Sequence, residues 1–342
     1  MSIIVANGAV KNSGDFLIRD SFLDFFDKNI TANYESILYQ KLVDTELENK
    51  TIVFSGGPVF EHKFQNALSR AAHHNCNYVF FGAGSYLFNY SKSFSKLNTP
   101  VKSKHLAVRD YLTKDIFELD KAVVTGCSAS YKRDSMNYQE SNGKVAISAP
   151  QRYDYFPYTL SLIDYFISQG YSISVLFNRG WDRSEYTSGL TQIKTEKFVK
   201  KLMEMNIEVI DASGKHGMAK YDGYAMHIGF RLHSHYYFLQ NGLPSKLLVE
   251  DSRGLGSNLL LGDDVIWPYA SDINMSKINT LPSKLSAIIF RTVDSFNIRK
   301  VLTRQDTQSI DQFLTEPKSF IEKQNEIELA GCDFLQEALN GL

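Results

Sequence analysis

Residues 3–26 read IIVANGAVKNSGDFLIRDSFLDFF. The apolar run Ile3–Ala6 has the length of a buried strand, and the loop NGAVKNSG after it carries the Asn, Ser and Gly of turns. From Asp15 the spacing changes: Ile18, Phe22, Phe25 and Phe26 recur at the intervals of one helix face. Strand, polar loop and amphipathic helix in that order make one βα unit, the building block of a parallel sheet covered by helices. The order recurs in TIVF (51–54) with a helix through HKFQNALSRAAHH, in YVFFGAG (78–84), in HLAV (105–108) with RDYLTKDIFEL, and in AVVTG (122–126). This predicts a first doubly wound domain.

Between Ser128 and Gly143 the text turns polar and irregular, which marks a linker. A boundary near 140 divides the chain into an α/β domain over 1–140 and a second over 141–342. The second series runs KVAISAP (144–150), YTLSLIDYFISQ, YSISVLF (171–177), TEKFVKKLMEM, IEVIDAS, YAMHIGF (224–230), HYYFLQ and KLLVED (246–251), six or seven βα steps. The tail ends in a helical pattern, FIEKQNEIELAGCDFLQEAL (320–339), that packs along the second domain or back over the first. The expected fold is α/β, two doubly wound Rossmann-like domains facing a cleft. Open parallel sheets bind ligands beyond the carboxyl ends of their strands, so function belongs in the loops that follow strands.

A length of 342 residues agrees with two domains at ~150 residues each. Lys plus Arg (37) against Asp plus Glu (38) leaves a net charge of -1, without the basic footprint of a nucleic-acid binder. An anionic ligand must therefore be held by locally gathered cations. The 3 cysteines, Cys76, Cys127 and Cys332, share no Cys-x-x-Cys spacing, which points to neither a disulfide framework nor a zinc knuckle and fits a reducing cytosol. No run approaches the ~18 apolar residues of a membrane span, and the amino-terminal stretch lacks the basic flank of a signal peptide. The expected location is the cytoplasm, whether free or peripheral at the inner face of a membrane.

Several strand-end loops carry chemistry. Asn12-Ser13-Gly14-Asp15 opens the first helix, where Gly14 permits close backbone approach; Asp15 either caps that helix or serves a ligand site. Ser55-Gly56-Gly57 follows TIVF, with His62 just beyond. No glycine cluster, Gly254-Leu255-Gly256 included, matches Gly-x-Gly-x-x-Gly, so no dinucleotide is expected. Arg109-Asp110 follows HLAV, presenting a guanidinium that either grips a carboxylate or phosphate or lies in solvent beside a capping aspartate. The richest stretch, YDGYAMHIGFRLHSHYYFLQNGLPSKLLVEDSRGLG (221–256), gathers Arg231, His233, His235, Asp251 and Arg253 around two strand ends. In a regular helix Arg231 and His233 diverge by about 200°. Their convergence requires 231–233 to be extended, with a helix from Ser234. His227, His233 and His235 lack the geometry of a metal site, and neither metal nor cofactor is expected.

These residues resemble the polysaccharide pyruvyl transferase family, bacterial enzymes that move pyruvate from phosphoenolpyruvate onto a sugar as a ketal. The resemblance rests on N-x-G-D at Asn12 to Asp15, Gly56-Gly57 after a strand, V-R-D at Val108 to Asp110, and Y-D-G…I-G-x-R-L-H ending at His233. G-x-P at Gly242 to Pro244 and a strand ending at Asp251 complete it. It spans roughly residues 1–260. Ser55 and Cys127 stand where the family commonly has a glycine and an aspartate. The resemblance implies a scaffold like that of two-domain GT-B glycosyltransferases.

The resemblance further implies phosphoenolpyruvate as donor and a sugar acceptor, lipid-linked or free, destined for a surface polysaccharide. On that reading Arg109 and Arg231 hold the donor from opposite domains, helping to close the cleft, with His62 and Arg253 in support. His233 handles the protons. Asp15 orients or deprotonates the acceptor, and Asn12, Gly14, Gly56, Gly57 and Asp251 line the acceptor side. The alternatives are a GT-B glycosyltransferase using a nucleotide sugar and a catalytically silent sugar-binding relative.

Overall fold

A computed structural model describes residues 2–57, 76–84, 105–132, 143–182, 189–262, 265–268 and 298–340. Strands β1 (Ser2–Asn7), β2 (Tyr34–Leu38), β3 (Lys50–Phe54), β4 (Asn77–Ala83), β5 (His105–Val108) and β6 (Val123–Val124) form one sheet, ordered β2-β1-β3-β4-β5-β6. A second sheet contains β7 (Val145–Ser148), β8 (Ile173–Phe177), β9 (Glu208–Asp211), β10 (Met226–Gly229) and β11 (Ser245–Leu247), ordered β11-β10-β7-β8-β9. Every pairing in both is parallel, so all carboxyl ends of a sheet share one edge.

Each sheet reverses direction once. The chain steps outward from β1 to β2 and returns beyond β1 to β3; in the second sheet it steps from β7 out to β9 and returns to β10 on the far side of β7. Loops leaving β1 and β3, and those leaving β7 and β10, therefore diverge to opposite faces, and such switch points are where open sheets bind ligands.

Helix α1 (Ser13–Asn29) starts where Asn12, extended at φ -69° and ψ 121°, accepts a hydrogen bond from the Gly14 N–H. Its buried face, Leu17, Ile18, Phe22, Phe25 and Phe26, covers the first sheet; Phe22 and Phe25 meet Phe81 of β4 with ring centroids 5.1 and 5.5 Å away. Helices α2 (Tyr111–Ile116), α3 (Phe156–Ser168), α4 (Gly189–Glu204), α5 (Leu232–Gln240) and α6 (Ser252–Leu261) follow, then α7 (Arg304–Thr315) and α8 (Ile321–Asn340). One buried apolar cluster runs without a break from Val5, Val53 and Phe81 of the first sheet to Ala146, Leu176 and Leu247 of the second. The two domains thus share a core. No described helix is long and apolar enough to cross a membrane.

Three features differ from the sequence reading. Strand β2 carries no apolar run, because YESIL is an edge strand paired to β1 alone, with Glu35 and Ser36 exposed. Five strands rather than six or seven βα steps build the described second sheet. The tail divides. Helix α7 buries Ile310 in the second domain's core, whereas α8 packs on β4, β5 and β6 and seats Ile327, Phe334 and Leu335 in the shared cluster.

Candidate functional site

The two switch points face each other. From the first domain comes the amino-terminal turn of α1; from the second comes the turn joining β10 to α5. Helix α5 begins at Leu232, two residues before the predicted start, with Arg231 as its extended N-cap residue at φ -92° and ψ 107°. Arg231 therefore leaves the helix axis while His233 occupies the first turn, and both side chains reach α1. Arg231 Nη2 donates to Asn12 Oδ1 at 3.5 Å, and Nη1 donates to Gln151 Oε1 at 3.3 Å. The His233 ring lies flat against Gly14: a Cβ there would fall 2.3 Å from His233 Nδ1. Only glycine allows that approach. Leu232 is buried in the shared core.

Burial lowers the His233 pKa well below its usual 6.5, and the charges of Arg253, Arg109 and Arg231 push the same way against Asp251. The imidazole is neutral, and its Nε2 is buried with no hydrogen-bond partner among the described residues. Asp15, at the next position of α1, behaves oppositely. Burial raises its pKa, against the opposing influence of Arg179, the Asn12 amide, Arg253 and Arg231. Asn12 Nδ2 donates to Asp15 Oδ1 at 3.1 Å. Asp15 sits in the first turn, but the N-cap bond belongs to Asn12.

A cleft of about 260 Å³ opens along the carboxyl ends of β7 and β8, lined by Gln151, Asn178, Arg179, Thr191, Thr195 and Arg231 among others. Arg179 was not singled out in the sequence. Its Nε is buried without a hydrogen-bond partner among the described residues. The signal was available: Phe177-Asn178-Arg179-Gly180 closes the strand YSISVLF with an arginine, just as Val108-Arg109-Asp110 closes HLAV. Asn178 beside it ties the domains together. Its Nδ2 donates to Ser13 Oγ and Ser234 Oγ, both at 3.0 Å, while the Tyr221 hydroxyl donates to its Oδ1 at 2.8 Å.

The other candidate residues have different surroundings. Arg109 is buried on the first-domain side, its Nε donating to Asp110 Oδ2 at 2.9 Å, and it is not among the residues lining the cleft. Asp110 caps α2 through the Thr113 N–H and packs on α6 at Gly256. Arg253 forks onto Asp251, Nε to Oδ1 at 2.9 Å and Nη2 to Oδ2 at 2.5 Å, and Asp251 caps α6. Burial raises the Asp251 pKa, but Arg253 outweighs it and the net shift is downward. Gly56 and Gly57 turn the chain after β3 at φ 98° and 97°. His62 lies outside the described residues. Glu250, buried and held toward its protonated form, accepts the Arg152 N–H at 2.5 Å and so fixes the loop carrying Gln151.

His227 and His235 bond to serines, and among the described residues no three His, Cys, Asp or Glu side chains are grouped as a metal requires. The arrangement is suited to an anion: Arg179 and Arg231 flank a cleft, and beside Arg231, on α1 and α5, stand a carboxyl whose pKa is raised and an imidazole whose pKa is lowered.

No family profile matches the sequence, and no curated protein matches it. Solved structures do. UDP-GlcNAc 2-epimerase from Neisseria meningitidis bound to UDP-GlcNAc is 10% identical, with a TM-score of 0.52 over 99% of this chain and 100% of that one. The Methanocaldococcus jannaschii UDP-GlcNAc 2-epimerase, in complex with UDP-GlcNAc and UDP, is 10% identical over 92% of this chain and 99% of its own, with a TM-score of 0.49. Escherichia coli heptosyltransferase WaaC with ADP is also 10% identical, covering 92% of this chain and 99% of its own, with a TM-score of 0.42. With its two parallel sheets and opposed switch points, the chain has the two-domain, GT-B-like α/β fold.

Proposed function

We propose that the protein is a transferase that binds a phosphate-bearing donor between Arg179 and Arg231 and passes part of it to a sugar hydroxyl held near α1. The observation that carries this reading is the pair of arginines lining one cleft at the second sheet's switch point, opposite Asn12 and Asp15. Guanidinium groups are the side chains best shaped for phosphate and carboxylate.

The donor best suited to the site is phosphoenolpyruvate. A cleft of about 260 Å³ has room for a compact anion that carries both a carboxylate and a phosphate. The Arg231-Leu232-His233 order, with its resemblance to pyruvyl transferases, supports the same donor. In the reaction C3 of the donor gains a proton and an acceptor oxygen bonds to C2. The bond from C2 to the phosphate oxygen then breaks and phosphate leaves. A second hydroxyl closes the ketal at C2, its proton returning to the carboxylate that protonated C3.

The protonation states suggest a division of labour that differs from the sequence expectation. Asp15, whose pKa burial raises, is assigned the proton that goes to C3; His233, whose pKa burial lowers, accepts the proton of the attacking hydroxyl. The arginines offset the charge that builds on the leaving phosphate.

A nucleotide sugar is the second reading, supported by the fold shared with a protein that binds UDP-GlcNAc. Titration calorimetry separates the two. Heat with phosphoenolpyruvate, and none with UDP-N-acetylglucosamine or GDP-mannose, supports pyruvyl transfer. Heat with a nucleotide sugar alone replaces it by glycosyl transfer, and silence with all three overturns the donor site.

A further inference from the structure

The three histidines for which the sequence offered no metal geometry divide into two roles: His233 packs on α1 at Gly14, while His227 and His235 bond to serines of the second domain. His227 sits in the middle of the second sheet, on β10 between β7 and β11, fully buried. Its Nε2 lies 2.8 Å from Ser148 Oγ at the end of β7, and its Nδ1 lies 2.7 Å from Ser245 Oγ at the start of β11. Ser245 Oγ is in turn 2.8 Å from His235 Nδ1 on α5. At the other end, Ser148 Oγ accepts the backbone N–H of Arg231 at 3.0 Å. A buried chain of polar groups therefore crosses three strands and ends on the residue that opens the donor turn.

The Arg231 N–H occupies one acceptor site of Ser148 Oγ. With the Ser148 proton directed at His227 Nε2, His227 carries its own proton on Nδ1 and donates it to Ser245, whose hydroxyl proton satisfies His235 Nδ1; with the other His227 tautomer the His227–Ser148 and His227–Ser245 bonds reverse. Burial, aided by His235, holds His227 well below its usual pKa, in the neutral state either order needs. Gly229 makes the geometry possible, since a Cβ there would lie 2.4 Å from Ser148 Oγ.

We propose that His227, acting through Ser148, is a positioning residue that sets the Arg231 N–H and thereby the donor turn from inside the second sheet, before any ligand arrives. Arg231 is an N-cap residue without a side-chain cap bond, so its backbone is held from below by this serine rather than by its own side chain. The proposal rests on the donor-site reading for its effect on binding, but not for its effect on the turn.

The test compares Ser148→Ala, His227→Phe and His227→Gln with the wild type. Two readouts are used: amide hydrogen exchange of the peptide spanning residues 229–234, and calorimetric affinity for phosphoenolpyruvate. Loss of one net hydrogen bond corresponds to about a three- to tenfold change. Exchange at the turn is expected to rise by that factor in Ser148→Ala and His227→Phe, with the Phe198 and Leu202 region of α4 unaffected, and donor affinity is expected to fall similarly. His227→Gln, whose amide oxygen can accept the Ser148 proton, is expected to recover most of both. Wild-type exchange at the turn in Ser148→Ala, or equal loss in the Phe and Gln variants, overturns the proposal. Altered exchange in a protein that never binds phosphoenolpyruvate supports the positioning role and refutes the donor instead.

Discussion

Replacing Gly14 with alanine tests the junction on which the whole site depends. The new Cβ would meet His233 Nδ1 at 2.3 Å, Cγ at 2.7 Å and Cβ at 2.8 Å. Ordinary carbon contacts lie near ~3.5–4.0 Å, so the overlap exceeds ~1 Å at the ring. Neither partner can retreat cheaply: α1 is tied at this turn by the Ser13 N–H donating to Asn178 O at 3.2 Å, and α5 is buried along its length. Overpacking of this kind costs about 1–3 kcal/mol. A helical Gly→Ala change returns up to about 1 kcal/mol, so the expected net loss is about 0–3 kcal/mol. The chemical effect is larger. A ring displaced by ~1 Å from its working position is expected to lose about 10²-fold in turnover. Pairing the change with His233→Ala isolates the contact, because the overlaps with Nδ1 and Cγ vanish while the Cβ contact at 2.8 Å stays. Gly14→Ala should then cost about 1 kcal/mol less than it does alone, measured by urea denaturation. Wild-type turnover in Gly14→Ala, with no coupling to His233→Ala, would refute the seating of His233 on α1.

Four further outcomes are expected. Arg231→Ala and Arg179→Ala should each weaken phosphoenolpyruvate binding by about 1.5–3 kcal/mol with thermal stability little changed, read by calorimetry and melting. Arg109→Ala should act on stability instead, by about 3 kcal/mol or more, since it leaves Asp110 buried beside the gap; a normal melting temperature would contradict this. Donor binding should proceed with little net proton exchange, because burial, the first cause of the depressed His233 pKa, persists in the complex and keeps the imidazole able to accept a proton; calorimetry in two buffers of different ionisation heat measures the exchange, and uptake of about one proton would contradict its role as acceptor. Because the folded pKa of His227 lies below 6.5, the unfolded chain binds more protons under acid, so stability is lost as pH falls below that value. Burial raises Asp15 and Glu250, which work the other way, but their contribution cancels in the comparison of wild type with His227→Gln, whose difference should shrink by about 1.4 kcal/mol per pH unit.

The parts of the fold legible in the sequence were those with a buried periodic pattern. Ile3–Ala6 and the Phe22, Phe25 and Phe26 stripe announced a βα unit because that strand is covered by helices and that helix has one apolar face. Strand β2 was hidden because an edge strand with exposed Glu35 and Ser36 has no such run. At the site, Arg231, His233 and Asn12 could be found because they sit at strand ends in an arrangement of residues resembling a known family. Arg179 carried the same strand-end signal after YSISVLF but forms no part of that resemblance, and it was passed over because the signal alone does not say which of several strand-end arginines borders a cleft. Arg253 and Arg109 look equivalent to Arg231 in the sequence, yet each has an aspartate within reach along the chain, Asp251 and Asp110, and folds onto it. An adjacent acid is thus a physical reason to lower an arginine's rank as a ligand residue. The start of α5 was misplaced for a related reason: a single residue outside the helix is enough to swing Arg231 toward α1, so the whole triplet need not be extended.

A protein with a net charge of -1 has no long-range field to collect an anionic donor, so the work falls to cations brought together by the fold. The sequence suggested that donor binding would draw two separate domains together around them. The shared core argues for a different division. Parting the domains would expose the cluster that joins Val5 and Phe81 to Leu176 and Leu247, and would strip Asn178 of its bond to Ser13. Buried polar groups left unpaired cost about 1–3 kcal/mol each, and apolar surface costs about 25 cal/mol per Å², so wide opening is opposed by both. The second sheet, meanwhile, holds the donor turn from within through Ser148 and His227. Both halves of the site are therefore set before the ligand arrives. What binding adds is charge rather than a change of shape: a phosphate placed among the guanidinium groups offsets their effect on His233, while burial still holds the imidazole neutral and ready to accept a proton.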